Sequence, residues 1–150
     1  MEFTWKFCSW HDLPKEDLHD ILALRVNIFV VEQDCPYPEI DGKDRQSWHL
    51  YAIENERIAS YLRIVEAGVA YQEIAIGRVV VDEDYRGTGL GHKLMEEAMI
   101  RIKDQWGDQP IRLGAQDHLR SYYAAHGFEA QGEVYLEDGI PHIEMLYSPH

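Results

Sequence analysis

Ile74-Ala75-Ile76-Gly77-Arg78-Val79-Val80-Val81-Asp82-Glu83-Asp84-Tyr85-Arg86-Gly87-Thr88-Gly89-Leu90-Gly91 sets the organisation of this chain. Its first half is nearly continuous apolar, the pattern of a central strand covered on both faces. A glycine turn follows. Beyond it Leu90, Leu94, Met95, Ala98, Met99 and Ile102 recur at helical spacing until Gly107 and Pro110 end the run. Strand, turn and helix therefore form one unit, and residues 111–115 read as the next strand, parallel to the first because a helical crossover links them.

Upstream, the aromatic alternation of residues 3–8 predicts a strand. A helix follows Pro14, its stripe running through Leu18, Ile21, Leu22, Ile28 and Phe29. Arg25 falls on that stripe and calls for a carboxylate partner. Residues 32–48 carry Pro36, Pro38 and Gly42 without periodicity and read as a long loop of the kind that is usually functional or mobile. Residues 50–53 and 57–65 bracket Glu54-Asn55-Glu56 as a hairpin. Downstream, residues 118–126 read as a short helix ended by Gly127, and strands near 133–136 and 142–147 flank the turn Asp138-Gly139. The order β-α-β-β-β-α-β-α-β-β places the chain in the α/β (α+β) class, a mixed central sheet with flanking helices.

At 150 residues, 45% hydrophobic and 27% charged, one domain spanning 1–150 is expected. A net charge of −13 repels nucleic acid at long range and excludes it as a partner. No signal segment or apolar run of membrane length is present, which predicts a cytoplasmic protein that does not enter a membrane. Cys8 and Cys35 form no CxxC and read as reduced thiols, and the histidines show no ligand spacing, so no metal is assigned.

Glycines at 87, 89 and 91 let the backbone approach a ligand, and the amides opening the following helix point at an anion favoured by the dipole. A diphosphate suits that geometry; a tight glycine connection without a ligand is the plainer alternative. The spacing fails the dinucleotide fingerprint, and no Gly-Lys-Ser/Thr follows as a P-loop requires.

Arg86-x-x-Gly89-x-Gly91 after Val79-Val80-Val81-Asp82-Glu83-Asp84-Tyr85 resembles motif A of the GNAT superfamily of acyl-CoA-dependent N-acyltransferases. Tyr123-Ala124-Ala125-His126-Gly127-Phe128 is similar to that superfamily's later Tyr-x-x-x-Gly-Phe helix end. More narrowly, Phe29-Val30-Val31-Glu32-Gln33, Cys35-Pro36-Tyr37, Ile40-Asp41-Gly42, Leu113-Gly114-Ala115-Gln116 and residues 137–142 resemble the ElaA-like bacterial group. The resemblance implies acetyl-CoA as co-substrate. Its pyrophosphate would lie on Arg86, Gly87, Thr88, Gly89, Leu90, Gly91 and the amide of His92. Its pantetheine arm would pair with the backbone of Val79, Val80 and Val81. Gln116 stands where relatives often carry an asparagine and would add an amide contact.

A thioester is already activated, so the implied enzyme has to position an amine, polarise the carbonyl and protonate the departing thiolate. The resemblance gives Tyr123 as the general acid. An ammonium must first lose a proton; Glu32, His142 and His49 are the candidate bases. The acidic loop with Glu32, Asp34, Glu39, Asp41 and Asp44 reads either as a surface for a cationic amine acceptor or as a solvated acidic face. The alternative to an acetyltransferase is a noncatalytic acyl-CoA sensor module. Paired C-terminal strands allow a homodimer.

Overall fold

The computed structural model describes residues 2–149; Met1 and His150, the ends of the expected 1–150 domain, lie outside the described residues. One mixed seven-stranded sheet runs through the chain; its strands β1 (Thr4–Ser9), β2 (Ser47–Glu54), β3 (Arg57–Val65), β4 (Ile74–Val81), β5 (Ile111–Gln116), β6 (Phe128–Glu137) and β7 (Ile140–Tyr147) lie in the order β1-β2-β3-β4-β5-β7-β6. Among the described residues, 2–64 with 78–94 form one compact unit, and 65–77 with 95–149 form a second.

In the first unit, β1 (Thr4–Ser9) pairs antiparallel with β2 (Ser47–Glu54), from Thr4↔Ile53 to Ser9↔Trp48. A tight turn at Asn55 and Glu56, with φ of 48° and 63°, leads into β3 (Arg57–Val65). Left-handed backbone at both central residues matches the twist of a hairpin. Helix α1 (Lys15–Arg25) starts directly after Pro14, as the sequence predicts, but stops as an α-helix at Arg25. From Val26 to Glu32 it widens to i→i+5 hydrogen bonds, with the N–H groups of Gln33 and Cys35 donating to the carbonyls of Ile28 (3.1 Å) and Val30 (3.0 Å). The branched run Val26, Ile28, Val30, Val31 crowds a regular α-turn, and such wide turns recur at functional sites.

Apolar clusters hold this unit. Ile21 and Leu24 of α1 pack with Tyr51, Ile58, Tyr61 and Val80, while Ala52 and Ala59 pack with Tyr85 and Leu90. Each fully covered Leu or Ile contributes roughly 1.5–3 kcal/mol. Leu90 therefore anchors the start of the helix that follows the glycine turn.

The second unit contains the start of β4 (Ile74–Val81), β5 (Ile111–Gln116), β6 (Phe128–Glu137) and β7 (Ile140–Tyr147). The parallel ladder of β4 and β5 covers Ile74↔Ile111 and Ala75↔Arg112. β4 continues past it, with Arg78 in the left-handed region at φ 53°. β7 lies antiparallel to β5 from Ile111↔Tyr147 to Gln116↔His142, and β6 pairs with its other edge through a register shift between Gln131 and Tyr135. β6 begins at Phe128, earlier than the alternation near 133 suggests, because Gly132 at φ 73° and the shift interrupt its pattern. Helix α2 (Leu90–Trp106) matches its predicted stripe. The predicted helix over 118–126 is a tight turn at Asp117–Leu119 followed by the short α3 (Arg120–Ala124). No helix among the described residues is long and apolar enough to cross a membrane.

Candidate functional site

In the first unit the central strand ends at Val81, Asp82 accepts a bond from the Asp84 N–H (2.9 Å), and Tyr85 is buried. Gly87 and Gly89 take φ of 76° and 85°, a region that costs an L-residue roughly 1–2 kcal/mol. Nothing lies within 4 Å of the position a Cβ would take at either glycine, so conformation and not crowding demands them. The Thr88 hydroxyl turns back to donate to the Tyr85 carbonyl at 2.6 Å. Gly91 and His92 stand in the first turn of α2, where helix amides face outward and the dipole is positive. Val80 is buried in the core, whereas Val79 and Val81 are half-buried.

Arg86 donates to Glu32 at 2.7 Å, with both side chains partly exposed. The structure thus brings together two residues singled out separately in the sequence. The carboxylate raises the Arg86 pKa further and fixes its charge.

The acidic loop holds most of its charge inward. Arg25 is fully buried and donates through Nε to Glu39 (2.7 Å), through NH1 to Asp44 (2.7 Å) and through NH2 to the Glu39 carbonyl (3.2 Å). Arg63 donates bidentately to Asp41 at 2.9 Å and to Asp44 at 3.2 Å. Arg78 reaches Glu39 at 2.8 Å and Asp41 at 3.3 Å, and the Tyr37 hydroxyl also donates to Glu39. Against the cost of desolvation, the guanidinium groups hold Asp41 well below the usual carboxylate range and lower Asp44 as well. Glu39, Asp41 and Asp44 are therefore already paired, which corrects the reading of this loop as a freely solvated acidic face. Arg25 finds the carboxylate partner its place on the stripe required.

His49 is fully buried, with Nδ1 at 2.7 Å from the Tyr61 hydroxyl and Nε2 at 3.0 Å from the Asp44 carbonyl. Burial pushes its pKa down. Both nitrogens are committed to the fold.

In the second unit, Tyr123 is buried and packs edge-on against Tyr122 (4.8 Å) and Phe128 (6.3 Å). Burial pushes its phenol pKa up, so the hydroxyl stays protonated at neutral pH. No described hydrogen bond uses it. Gln116 and His142 are direct register partners across β5 and β7. The His142 Nδ1–H donates to the Ile140 carbonyl at 2.7 Å, and Nε2 lies 3.4 Å from a Glu137 carboxylate oxygen. A carbonyl on Nδ1 selects the tautomer whose lone pair is on Nε2.

Residues 21–148 match the family described as Acetyltransferase (GNAT) domain. The chain belongs to this GNAT family. It is 40% identical over 143 residues to protein ElaA of Escherichia coli, covering 94% of each chain. The crystal structure of that ElaA superposes with a TM-score of 0.92 at 38% identity, covering 98% of this chain and 100% of the other. An acyl-CoA N-acyltransferase from Pseudomonas aeruginosa superposes at 0.94 with 43% identity and the same coverage.

Sequence reasoning named the glycine turn and the tyrosine helix as candidates and missed Arg63 and Arg78 as the fixers of the loop. Both lie inside strand patterns, where a lone arginine reads as an outward-facing residue. A long loop containing Glu39, Asp41 and Asp44 opposite strand arginines is the only signal that could have paired them.

Proposed function

We propose that this chain is an acyl-CoA-dependent N-acyltransferase that moves an acetyl group to a primary amine by direct attack in a ternary complex. The observation that carries the reading is the open glycine turn before α2: left-handed backbone at Gly87 and Gly89, unobstructed space above both, and a hydroxyl at Thr88 turned away from the helix amides. An anion is the natural complement of such a turn. The coenzyme diphosphate would rest on residues 86–92. The backbone of Val79 to Val81, lying beyond the ladder of β4 with β5, would pair with the pantetheine arm, and Gln116 would add an amide contact.

The amine nitrogen attacks the thioester carbon, the C–S bond breaks, and Tyr123 supplies a proton to the leaving sulfur. Among the three candidate bases, His142 has the fitting geometry: Nδ1–H is held by a carbonyl and Glu137 stands by to stabilise the imidazolium formed at Nε2. Glu32, already engaged by Arg86 at 2.7 Å, better serves as that arginine's counterion before the diphosphate arrives. His49 is enclosed on both nitrogens.

Incubation with acetyl-CoA and a pooled set of amines and peptides, following free thiol and product mass together, tests the reading. Product mass increased by one acetyl with matching thiol supports it. Coenzyme bound without product from any acceptor replaces it with the sensor alternative, and absence of coenzyme binding removes both.

A further inference from the structure

One residue inside β4 has a backbone conformation that a strand does not favour. Among the described residues, the non-glycine positions with positive φ are Asp34, Asn55, Glu56, Asp138 and Arg78; the first four lie in turns, and Arg78, at φ 53°, lies in a strand. A bulky side chain in that region is a genuine outlier, and such strain gathers where the chain has a task to perform. The glycine of this stretch does not relieve it. Gly77, one position earlier, has a φ outside the left-handed region and nothing within 4 Å of the place a Cβ would take. The chain thus carries its most permissive residue beside the kink and an arginine on it.

The side chain of Arg78 is what holds it there. Nε donates to the Glu39 carboxylate at 2.8 Å, and NH2 donates to the Glu39 carbonyl and to Asp41, both at 3.3 Å. The guanidinium also lies 5.9 Å from the centre of the Tyr37 ring, within cation–π range. These anchors are themselves fixed. Glu39 is held at 2.7 Å by fully buried Arg25 of α1, and Asp41 by Arg63 of β3 through two bonds of 2.9 Å. Returning Arg78 to an extended φ would swing its Cβ and take the guanidinium off both carboxylates. The kink stands directly before Val79, Val80 and Val81, whose backbone is the proposed partner of the pantetheine arm.

We infer that Arg78 is a positioning residue: its side chain, clamped by Glu39 and Asp41 of the loop, enforces the left-handed kink in β4 that sets the direction in which Val79, Val80 and Val81 present their backbone to the coenzyme. This deepens the proposed transferase reading and rests on it for its role. A glycine at 78 would permit the kink, since glycine adopts either sign of φ about equally well, whereas an alanine would oppose it by about five- to thirtyfold. Both substitutions remove the same hydrogen bonds and the same charge. A role confined to ion pairing therefore moves both alike, and a role in holding the backbone separates them. In either variant Glu39 keeps Arg25 and Asp41 keeps Arg63, so neither carboxylate is stranded and the fold persists.

The test compares Arg78→Ala with Arg78→Gly in the whole protein. In the absence of coenzyme, the amide and Cα NMR shifts of Val79, Val80 and Val81 report their backbone. These shifts should move away from wild type in Arg78→Ala and stay nearer to it in Arg78→Gly. Acetyl-CoA affinity, measured by calorimetry, scales with the fraction of molecules in the competent conformation. It should fall about twofold in Arg78→Gly and about five- to thirtyfold in Arg78→Ala. Wild-type shifts or full acetyl-CoA affinity in Arg78→Ala, or equal shifts and equal affinities in the two variants, overturn the inference. The shifts are read without coenzyme, so the two readings fail separately: variants that differ as expected, in a protein that binds no acetyl-CoA, keep the clamp on β4 and remove the transferase reading.

Discussion

Replacing Arg25 by Met removes the centre of the buried charge network while keeping an unbranched side chain of similar length. The lost contacts are two bonds of 2.7 Å to the carboxylates of Glu39 and Asp44, one of 3.2 Å to the Glu39 carbonyl, and the approach to the Tyr61 ring at 5.6 Å. Stranding a buried charge costs about 3–5 kcal/mol. Here neither carboxylate is wholly abandoned, since Arg78 still holds Glu39 at 2.8 Å and Arg63 still holds Asp44 at 3.2 Å. The expected loss is therefore at the lower end, about 3 kcal/mol, or a melting temperature lower by roughly 6–12 °C for a chain of this size. The effect carries a pH signature. Asp44 and Asp41 have pKa values depressed in the folded state, so their contribution is complete above the unfolded value near about 3.9 and is lost as pH falls towards the folded values. Arg25→Met relieves part of the depression at Asp44, so the gap between variant and wild type should be widest near neutral pH and narrow below about pH 4. Thermal and urea melts of both proteins across that range measure it. A variant that melts with the wild type at neutral pH, or a gap that stays constant into acid, would falsify the claim that this network stabilises the loop through ionised partners.

Tyr123→Phe should lower turnover by about 10²-fold or more, the range for removal of a general acid, with little change in melting temperature because no described hydrogen bond uses the hydroxyl; unchanged turnover removes the acid role. Gly89→Val places a branched side chain at φ 85° and should abolish acetyl-CoA binding measured by calorimetry, while a variant that still binds shows that the turn is not the anion site. Glu32→Gln frees Arg86 from its 2.7 Å partner and should strengthen coenzyme binding by up to about fivefold, a gain that fades with added salt. Weaker binding in that variant indicates that Glu32 does not compete with the coenzyme.

The strand, glycine turn and helix over 74–106 were legible because each is a local pattern: an apolar run, residues able to adopt positive φ, and a period near 3.6. The widened winding over Val26–Glu32 was not, since its apolar spacing over a few residues is close to that of an ordinary helix. β6 was shortened for a related reason, its alternation being broken by the register shift between Gln131 and Tyr135. Within the candidate site, Tyr123, Glu32, His142 and the turn residues were identified by type and motif, yet nothing local told which base candidates were already occupied.

Order of elements, the glycine turn with its left-handed residues and the excess of negative charge were determined by the sequence itself, through interactions among near neighbours. Which charges meet was decided only by folding. Arg78 reaches Glu39 across 39 positions and Arg86 reaches Glu32 across 54. Such pairings depend on sheet register and helix winding, which are set by the packing of distant segments and leave no periodic trace along the chain.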